Sequence, residues 1–266
     1  MKPTLAHINL FPIKSCAPLT PGHAFVESRG LRGDRRWMVV DAEGQFVTAR
    51  KHSRLVLIRA RFDAEALILD APGMTSLRLT QPLDPEEVRT TIWRDEVIAD
   101  VADAEANSWI SEYLGFAARF AFMGDACRRP VDPDFAQRGD VVSFADGYPL
   151  MVISQTALDA LNSRLPSPVP MLRFRPSLVV ANTSPHAEDG WRSIRIGDVR
   201  FDAVKPCVRC VLTTVDPETG RFDEGGEPLR TLLSYRRTDK GVTFGQNLIP
   251  RGTGTIKIGD EIVIID

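Results

Sequence analysis

The strongest constraint on the fold is a series of short apolar or alternating runs, separated by turn residues, in the N-terminal part of the chain. These runs occupy residues 5–11, 37–40, 67–69, 76–79, 90–93 and 96–100. Their alternation has the period of an extended strand, and each run is too short for an amphipathic helix. Short strands at close, turn-punctuated spacing are typical of all-β units. We therefore predict a mainly β protein.

A helical pattern interrupts these strands after residue 102. It begins with Asp103 as the N-cap and ends at Gly115, and the apolar residues at helical spacing are Ala106, Trp109, Ile110, Tyr113 and Leu114. We place the domain boundary at this helix, which gives domains of residues 1–102 and 103–266. A second helix is predicted to follow Ser154, which stands at an N-cap position.

Two features of the C-terminal part concern its connections. The sequence Ile-Arg-Ile-Gly-Asp at 194–198 returns as Ile-Lys-Ile-Gly-Asp at 256–260, and Gly-Asp favours a hairpin turn. We predict a hairpin at both places. The segment 124–149 is instead rich in Asp, Arg and Gly and weakly periodic, and a loop of that length is usually functional or disordered.

Composition excludes several classes of protein. The chain has 266 residues, of which 43% are hydrophobic and 26% are charged, as in an ordinary globular protein. Its net charge of −2 argues against broad nucleic-acid binding. It has no apolar run long enough for a signal peptide or a membrane span. Four cysteines without regular spacing favour a reducing compartment. We predict a cytoplasmic protein with neither nucleic acid nor membrane as a partner.

Two of the four cysteines, Cys207 and Cys210, lie close together beside basic residues. The β-branched residues that follow predict a strand over 209–215, beginning after Pro206. Side chains three apart on a strand point to opposite faces, so we expect only one sulfur to reach a given pocket. Beside cations that thiol can be held as a thiolate, which binds metals or attacks electrophiles. Alternatively, both cysteines are small buried residues of a strand.

Arg35 and Arg36 directly precede the apolar run 37–40. Neighbouring residues of a strand alternate faces, so we expect one of the two arginines to point inward. An inward arginine needs an anionic partner, because a guanidinium does not deprotonate in proteins. That partner is either an anionic ligand or, in the alternative, the carboxylate of Asp34 or Asp41.

Basic groups also stand at two other strand ends. Lys14 and Ser15 follow the first strand, where an ammonium, a hydroxyl and backbone N–H groups can bind an anion, although a solvated turn has the same composition. Arg173 and Arg175 precede the apolar run 178–180, and the strand period puts both on one face. Sites are usually built at such ends, so these groups together predict one anionic ligand.

The sequence lacks the common cofactor fingerprints. No G-x-G-x-x-G follows a strand, and there is no G-x-x-x-x-G-K-[ST], H-E-x-x-H or C-x-x-C-H. The four histidines are scattered, which argues against a histidine-built zinc site. If the chain does redox chemistry, it carries no nicotinamide, haem or iron–sulfur fingerprint of its own.

Essentially the whole chain resembles the MOSC family, named after the C-terminal domain of molybdenum cofactor sulfurase. The motifs that carry the resemblance, in the family's order, are PIKSC at 12–16, GLRGDRRWMVVD at 30–41, TAR at 48–50, RFRP at 173–176, PCVRCVLTTVDPETG at 206–220 and FGQNLI at 244–249. It is most similar to the branch that includes the mitochondrial amidoxime-reducing components. The resemblance implies an N-terminal β-barrel-like domain packed on a MOSC β-barrel domain, with a few helices and the cofactor between the domains.

The resemblance also implies a site. The family's molybdenum ligand is the second cysteine of the C-x-R-C stretch, which makes Cys210 the expected metal ligand and catalytic residue. The cofactor is a pterin with dithiolene sulfurs, donors that suit such a metal, and a phosphate. The positions that match the family's cofactor-binding residues are Lys14, Ser15, Arg35, Asp146, Arg175 and Ser177. Ser177 stands where the family commonly has asparagine, and Tyr148 where relatives can have a small hydroxyl residue.

The implied function is molybdenum cofactor-dependent reduction of N-hydroxylated compounds, such as hydroxylamines, amidoximes or N-hydroxylated bases. Electrons would come from a separate donor protein of the reductase, ferredoxin or cytochrome type, and the segment 124–149 would cover the substrate. One alternative is a sulfur carrier for cofactor or metal–sulfur cluster assembly, with a persulfide on Cys210. Another is a cofactor carrier without turnover. Pyridoxal phosphate, which is also linked to this family, is not expected, because no lysine has a suitable strand context for a Schiff base.

Overall fold

The computed structural model describes residues 2–64 and 66–265, and these are mainly β, as predicted. The predicted domain ranges start at Met1 and end at Asp266, which lie outside the described residues. The strands are β1 (Thr4–Ile8), β2 (His23–Glu27), β3 (Gly30–Leu31), β4 (Trp37–Asp41), β5 (Arg59–Asp63), β6 (Ala66–Asp70), β7 (Leu77–Thr80), β8 (Glu87–Ile92), β9 (Asp95–Val101), β10 (Ala118–Phe122), β11 (Leu150–Ser154), β12 (Leu178–Ala181), β13 (Ser193–Ile196), β14 (Val199–Val208), β15 (Arg237–Thr238), β16 (Gly241–Pro250), β17 (Gly254–Lys257) and β18 (Ile262–Ile264). The α-helices of the described part are α1 (Ala104–Leu114), α2 (Gln155–Asn162) and α3 (Leu229–Tyr235).

The largest sheet forms a nearly closed barrel with the strand order β1-β12-β11-β16-β14-β13-β18. Its outermost strands approach each other, because the Leu5 N–H donates to the Asp260 carbonyl and the Ile262 N–H donates to the Pro3 carbonyl, each at 2.9 Å. Alternate side chains of these strands point inward and fill the interior, among them the fully buried Phe201.

The remaining sheets have the orders β4-β10-β9-β8, β5-β6-β7 and β17-β2-β3. The first two share an apolar core with α1, in which the Trp109 ring stacks 6.4 Å from the ring of Phe120. The third packs on the barrel instead, because Val26 and Ile256 belong to the barrel core. The chain therefore combines a barrel with a half-barrel, and β1 pairs with β12 in the barrel although it comes first in the chain.

Both predicted helices are confirmed, together with their caps. The Asp103 carboxylate accepts a hydrogen bond from the Ala106 N–H at 2.8 Å, and α1 ends at Gly115 with a φ of 80°. The Ser154 hydroxyl accepts from the Ala157 N–H at the start of α2. Among the described residues, no helix is long and apolar enough to cross a membrane.

The predicted strand over 209–215 is wrong. β14 ends at Val208, and Val211–Thr214 forms a 3-10 helix. Two threonine hydroxyls stabilise this turn, because Thr213 Oγ1 donates to the Cys210 carbonyl at 3.0 Å and Thr214 Oγ1 donates to the Val211 carbonyl at 2.8 Å. Local side-chain bonds of this kind compete with strand pairing and override the β-branched composition.

The repeated Ile-x-Ile-Gly-Asp sequence has two different outcomes. Gly197 and Asp198 join β13 to β14, which pair antiparallel as the predicted hairpin. The second copy is not a hairpin, because β17 pairs with β2 whereas β18 pairs with β13. The segment 124–149 contains neither helix nor strand, as predicted, and its C-terminal end leads directly into β11.

Candidate active site

All seven predicted site residues line one cleft, which is open to solvent. They come from the turn after β1, the turn before β4, the end of the segment 124–149, the segment between α2 and β12, and the end of β14; they are Lys14, Ser15, Arg35, Asp146, Arg175, Ser177 and Cys210. Among the described residues, six cationic side chains and one carboxylate border the cleft. This surplus of positive charge suits an anionic ligand.

Three of these residues have a left-handed backbone conformation. The φ angles are 71° at Ser15, 47° at Arg35 and 54° at Arg175. Such angles are uncommon outside glycine and cost on the order of 1–3 kcal/mol each, and they cluster at functional sites. All three residues border the cleft.

Lys14 and Asp146 form the polar floor of the cleft. The Lys14 ammonium, 6% exposed, donates to the Phe144 carbonyl at 2.8 Å and to Asp146 Oδ1 at 2.6 Å. Burial lowers the pKa of Lys14 to about 8, although Asp146 opposes this shift. Desolvation disfavours ionised Asp146, but the charges of Lys14 and Arg50 outweigh it and hold the carboxyl pKa well below its usual range. Asp146 is therefore a permanent hydrogen-bond acceptor.

Arg35 lines the cleft, whereas Arg36 turns away and donates to the Met123 carbonyl, so one arginine of the pair points inward as predicted. The alternative ion pair is also present, because Arg35 Nη1 donates to Asp34 Oδ2 at 2.5 Å. Burial raises the pKa of Asp34 despite this contact. Arg35 thus has one counter-ion and still borders the cleft, where it reaches Ser177 Oγ at 3.4 Å.

Arg175 carries an uncompensated charge. Its guanidinium lies 4.2 Å from the Phe11 ring centroid, and that of Arg35 lies at the same distance from the same ring. In residues 2–64 and 66–265, no carboxylate lies within ion-pair distance of Arg175 and its side chain makes no hydrogen bond. Burial and the neighbouring Arg35 charge lower the pKa of Arg175. A guanidinium in this position suits an anionic ligand.

Arg173 does not share a strand face with Arg175, because Met171–Phe174 is a 3-10 helix. The Arg173 guanidinium donates to the Thr214 carbonyl at 2.7 Å and to Asp216 Oδ2 at 3.2 Å. Arg173 therefore stabilises the turn that follows Cys210 and has Asp216 as its counter-ion.

Cys207 and Cys210 line the same cleft, so the expectation that only one sulfur reaches a pocket is wrong. The chain leaves the strand conformation at Arg209, which removes the alternation on which the expectation rested. Cys207 Sγ accepts from Arg209 Nη1 at 2.9 Å, yet burial raises the pKa of its thiol. Cys210 Sγ accepts from Arg50 Nε at 3.2 Å.

Sequence reasoning missed Arg50 and Arg209 as site residues. Arg50 links two of the predicted ones, because its Nε donates to Cys210 and its Nη2 donates to Asp146 Oδ2 at 2.7 Å. The one sequence signal for Arg50 is its place in the Thr-Ala-Arg motif. Arg209 donates to the Phe174 carbonyl at 2.6 Å and to Met151 Sδ at 2.8 Å. Its neighbour Lys205 faces the Phe135 ring instead.

The two departures from the family pattern differ in their effects. Ser177 is buried, and its hydroxyl accepts from the Met151 N–H at 3.4 Å. Tyr148 fills cleft space with an aromatic ring, and its hydroxyl is buried without a hydrogen-bond partner in the part of the chain that the structure describes. Desolvation raises the pKa of Tyr148, so its hydroxyl remains protonated.

This combination of fold and cleft is that of a MOSC-domain protein, and the chain belongs to that family. The MOSC N-terminal beta barrel domain matches residues 2–117, and the MOSC domain matches residues 139–263.

Within the family, the chain is similar to the mitochondrial amidoxime-reducing components. It is 35% identical to component 1 of Mus musculus, over 98% of this chain and 82% of the relative, and 34% identical to component 1 of Homo sapiens, over 98% and 83%. It is 32% identical to human component 2, over 97% and 82%. Among solved structures, the YuaD protein of Bacillus subtilis matches with 11% identity and a TM-score of 0.44, over 98% of this chain and 94% of that one.

Proposed function

We propose that the chain is a molybdenum cofactor-dependent oxidoreductase that reduces N-hydroxylated compounds to the amine level. The observation that carries the proposal is the unpaired Arg175 guanidinium in a strongly cationic cleft that also presents the Cys210 sulfur. Support comes from relatives named as amidoxime-reducing components, which the chain matches over nearly its full length. The predicted domain boundary after residue 102 and the cytoplasmic location are part of the proposal.

The residues of the cleft fit the cofactor. Arg175, Lys14, Arg35 and the hydroxyl and N–H of Ser15 would hold the phosphate. Asp146 and Ser177 would offer acceptors for the N–H groups of the pterin. Cys210 would be the soft protein donor to molybdenum.

When bound, the cofactor supplies the two-electron chemistry for which the chain has no side chains of its own. Overall, an N-hydroxy compound, two electrons and two protons give the amine and water. The chain contributes charge and orientation. Arg50 holds the Cys210 sulfur, and the Lys14 ammonium holds Asp146 at the floor of the cleft.

Electrons come from a separate carrier protein, because the sequence has no nicotinamide, haem or iron–sulfur fingerprint. The substrate is a small N-hydroxylated compound that shares the cleft with the pterin. The segment 124–149 delivers Asp146 and Tyr148 to the cleft and so contributes to the wall that faces the substrate.

The test is metal and pterin analysis of protein made in a host that produces the molybdenum cofactor, followed by turnover of a hydroxylamine with an artificial reductant. We expect near-stoichiometric molybdenum and pterin, and amine as the product. Protein that holds neither molybdenum nor pterin refutes the proposal.

A second candidate function is sulfur transfer with a persulfide on Cys210, and the observation that favours it is the pair of cleft thiols, Cys207 and Cys210. A sulfur carrier binds no molybdenum and becomes labelled when incubated with a persulfide donor. A cofactor carrier without turnover binds molybdenum and pterin but yields no amine. The same analysis therefore separates all three functions.

A further inference from the structure

The tight turn between β8 and β9 has an unusual residue at its first position. Trp93 and Arg94 connect the two strands, and Trp93 has a φ of 58°. Two-residue hairpin turns of this kind favour glycine, asparagine or aspartate, because a bulky side chain is strained at positive φ. The Trp93 side chain is also 49% exposed, so core packing does not explain its presence. Backbone strain of this kind is often kept for a functional reason.

The Trp93 ring supports a cleft residue. Its centroid lies 4.5 Å from the guanidinium carbon of Arg50 and 5.2 Å from the Phe46 ring. The same guanidinium donates to Cys210 Sγ and to Asp146 Oδ2. A cation held over an indole face keeps its orientation, so the ring fixes the direction in which Arg50 presents its donors.

Two residues after Trp93, Asp95 acts on residues 143–146, here called the cleft segment, through Arg129. Its carboxylate accepts from Arg129 Nε at 2.7 Å, and the Arg129 side chain is only 2% exposed. The remaining nitrogens of Arg129 donate to three carbonyls of the cleft segment, those of Ser143, Ala145 and Asp146, at 2.9, 2.5 and 2.9 Å.

The carbonyl left over in that segment belongs to Phe144, and it accepts from Lys14. Two buried cations thus bind four consecutive carbonyls, which fixes the backbone that carries Asp146. Neither Trp93, Asp95 nor Arg129 borders the cleft.

We propose that the β8–β9 turn of the N-terminal half is a positioning element for the cleft: Trp93 orients Arg50, and Asp95, through Arg129, fixes the segment that bears Asp146. The cofactor part of this inference rests on the proposed function. The alternative is that the turn only covers Phe46 and that the Asp95–Arg129 pair only stabilises the fold.

Two substitutions in the turn test the proposal. Trp93→Gly removes the ring and also the strain of the positive φ. Asp95→Asn removes the charge that orients Arg129 while preserving the shape of the Asp95 side chain. Ala64→Gly is the matched control, because Ala64 has a φ of 50° between β5 and β6 and does not border the cleft.

The first readout needs no cofactor. Hydrogen exchange is followed at the amides of Val142 and Phe144, which donate to the carbonyls of Arg129 and Arg35. In the cofactor-free protein, both turn variants should accelerate exchange at these amides by about tenfold while exchange in the barrel core stays unchanged. Ala64→Gly should change neither.

The second readout is pterin content after production in a competent host. The pterin content of both turn variants should be about tenfold lower than that of the parent, as is typical when a residue that orients a ligand is removed. The Trp93→Gly protein should lose pterin although its unfolding midpoint is no lower than that of the parent, whereas Ala64→Gly should keep its pterin.

Unchanged exchange at Val142 and Phe144, or acceleration spread evenly over the whole protein, overturns the inference, because the turn then acts only on global stability. If the parent protein itself contains no pterin, the proposed function fails. The exchange experiment still decides whether the turn positions the cleft.

Discussion

Replacing Arg175 by methionine should stabilise the cofactor-free protein. Burial and the Arg35 charge lower the pKa of Arg175 from 12.5 to about 9, which corresponds to about 5 kcal/mol of unfavourable charge burial. Solvent that reaches this half-buried side chain screens part of that cost. The loss of its cation–π contact with Phe11 subtracts a further 1 to 2 kcal/mol, roughly. We therefore expect the free energy of unfolding to rise by about 2 kcal/mol in Arg175→Met.

Arg173→Met is the matched control, because it removes the same charge from the same border of the cleft. Arg173 is paired with Asp216 and bonded to the Thr214 carbonyl, so its loss leaves a carboxylate and a carbonyl without their donor. Breaking such a buried pair costs about 3 kcal/mol. The two substitutions should thus change stability in opposite directions.

The assay is urea unfolding of cofactor-free protein at pH 7, with and without inorganic phosphate. A ligand that binds only the folded state stabilises it by mass action, so phosphate should raise the midpoint of the parent and of Arg173→Met but not that of Arg175→Met. Pterin content after production in a competent host should fall in Arg175→Met. If Arg175→Met is destabilised as much as Arg173→Met, the guanidinium is satisfied within the protein and does not await an anion.

Three further predictions concern the chemistry of the cleft. Cys210→Ser should lose turnover by orders of magnitude together with the thiolate-to-metal absorption bands, whereas Cys207→Ser should retain both; bands that vanish in Cys207→Ser alone identify the other sulfur as the ligand. Because the folded-state pKa of Lys14 is lowered, the unfolded chain binds more protons between about pH 8 and 10.5, so stability should rise with pH there by up to about 3 kcal/mol relative to Lys14→Met. Urea unfolding at several pH values checks this. If the free energy of unfolding changes with pH equally in the parent and in Lys14→Met, the assignment is wrong. The purified protein should not reduce a hydroxylamine with NADH until a carrier protein is added, and turnover with NADH alone would show that the chain takes electrons directly.

The sequence predicts an element correctly where residues at the ends of that element fix its bounds. The helix α1 follows from Asp103 and Gly115, because an N-cap carboxylate and a left-handed glycine act within one turn of the chain. The sequence also predicts that Lys14, Arg35 and Arg175 share one anionic ligand, since each lies near an end of an apolar run, and all three border the cleft. Arg50 and Arg209 carry no comparable signal. The cap residues act close in sequence to the helix that they reveal, whereas the cations meet only in the folded chain.

The region around Cys207 was predicted incorrectly for a non-local reason. Pro206 was read as the start of a strand, yet it lies near the end of β14. Within residues 2–64 and 66–265, β14 pairs beyond Asp202 with β16 alone, so Pro206 lies on a strand that has one partner and its missing N–H is tolerated there. Irregular register on both sides of Pro206 then redirects the chain. The sequence does not reveal which part of a strand lies at a sheet edge.

Arg129 was missed for a different reason. It lies in a segment rich in charged residues, where an arginine is expected to face water, yet its side chain is almost fully buried among carbonyl oxygens. Its partners Asp95 and Asp146 are distant in the chain and become neighbours only when β9 and the cleft segment meet. An arginine whose partners are backbone carbonyls cannot be recognised from the sequence, because any residue type can supply the carbonyl.

Several groups at the cleft oppose folding through backbone strain or charge. Ser15, Arg35 and Arg175 each hold a left-handed backbone, and Arg175 adds a charge without a counter-ion. These costs oppose folding until an anion arrives, and a bound anion offsets the charge term directly. On the proposed function, substitutions that remove these strained or unpaired groups should therefore increase the stability of the cofactor-free protein and weaken cofactor binding.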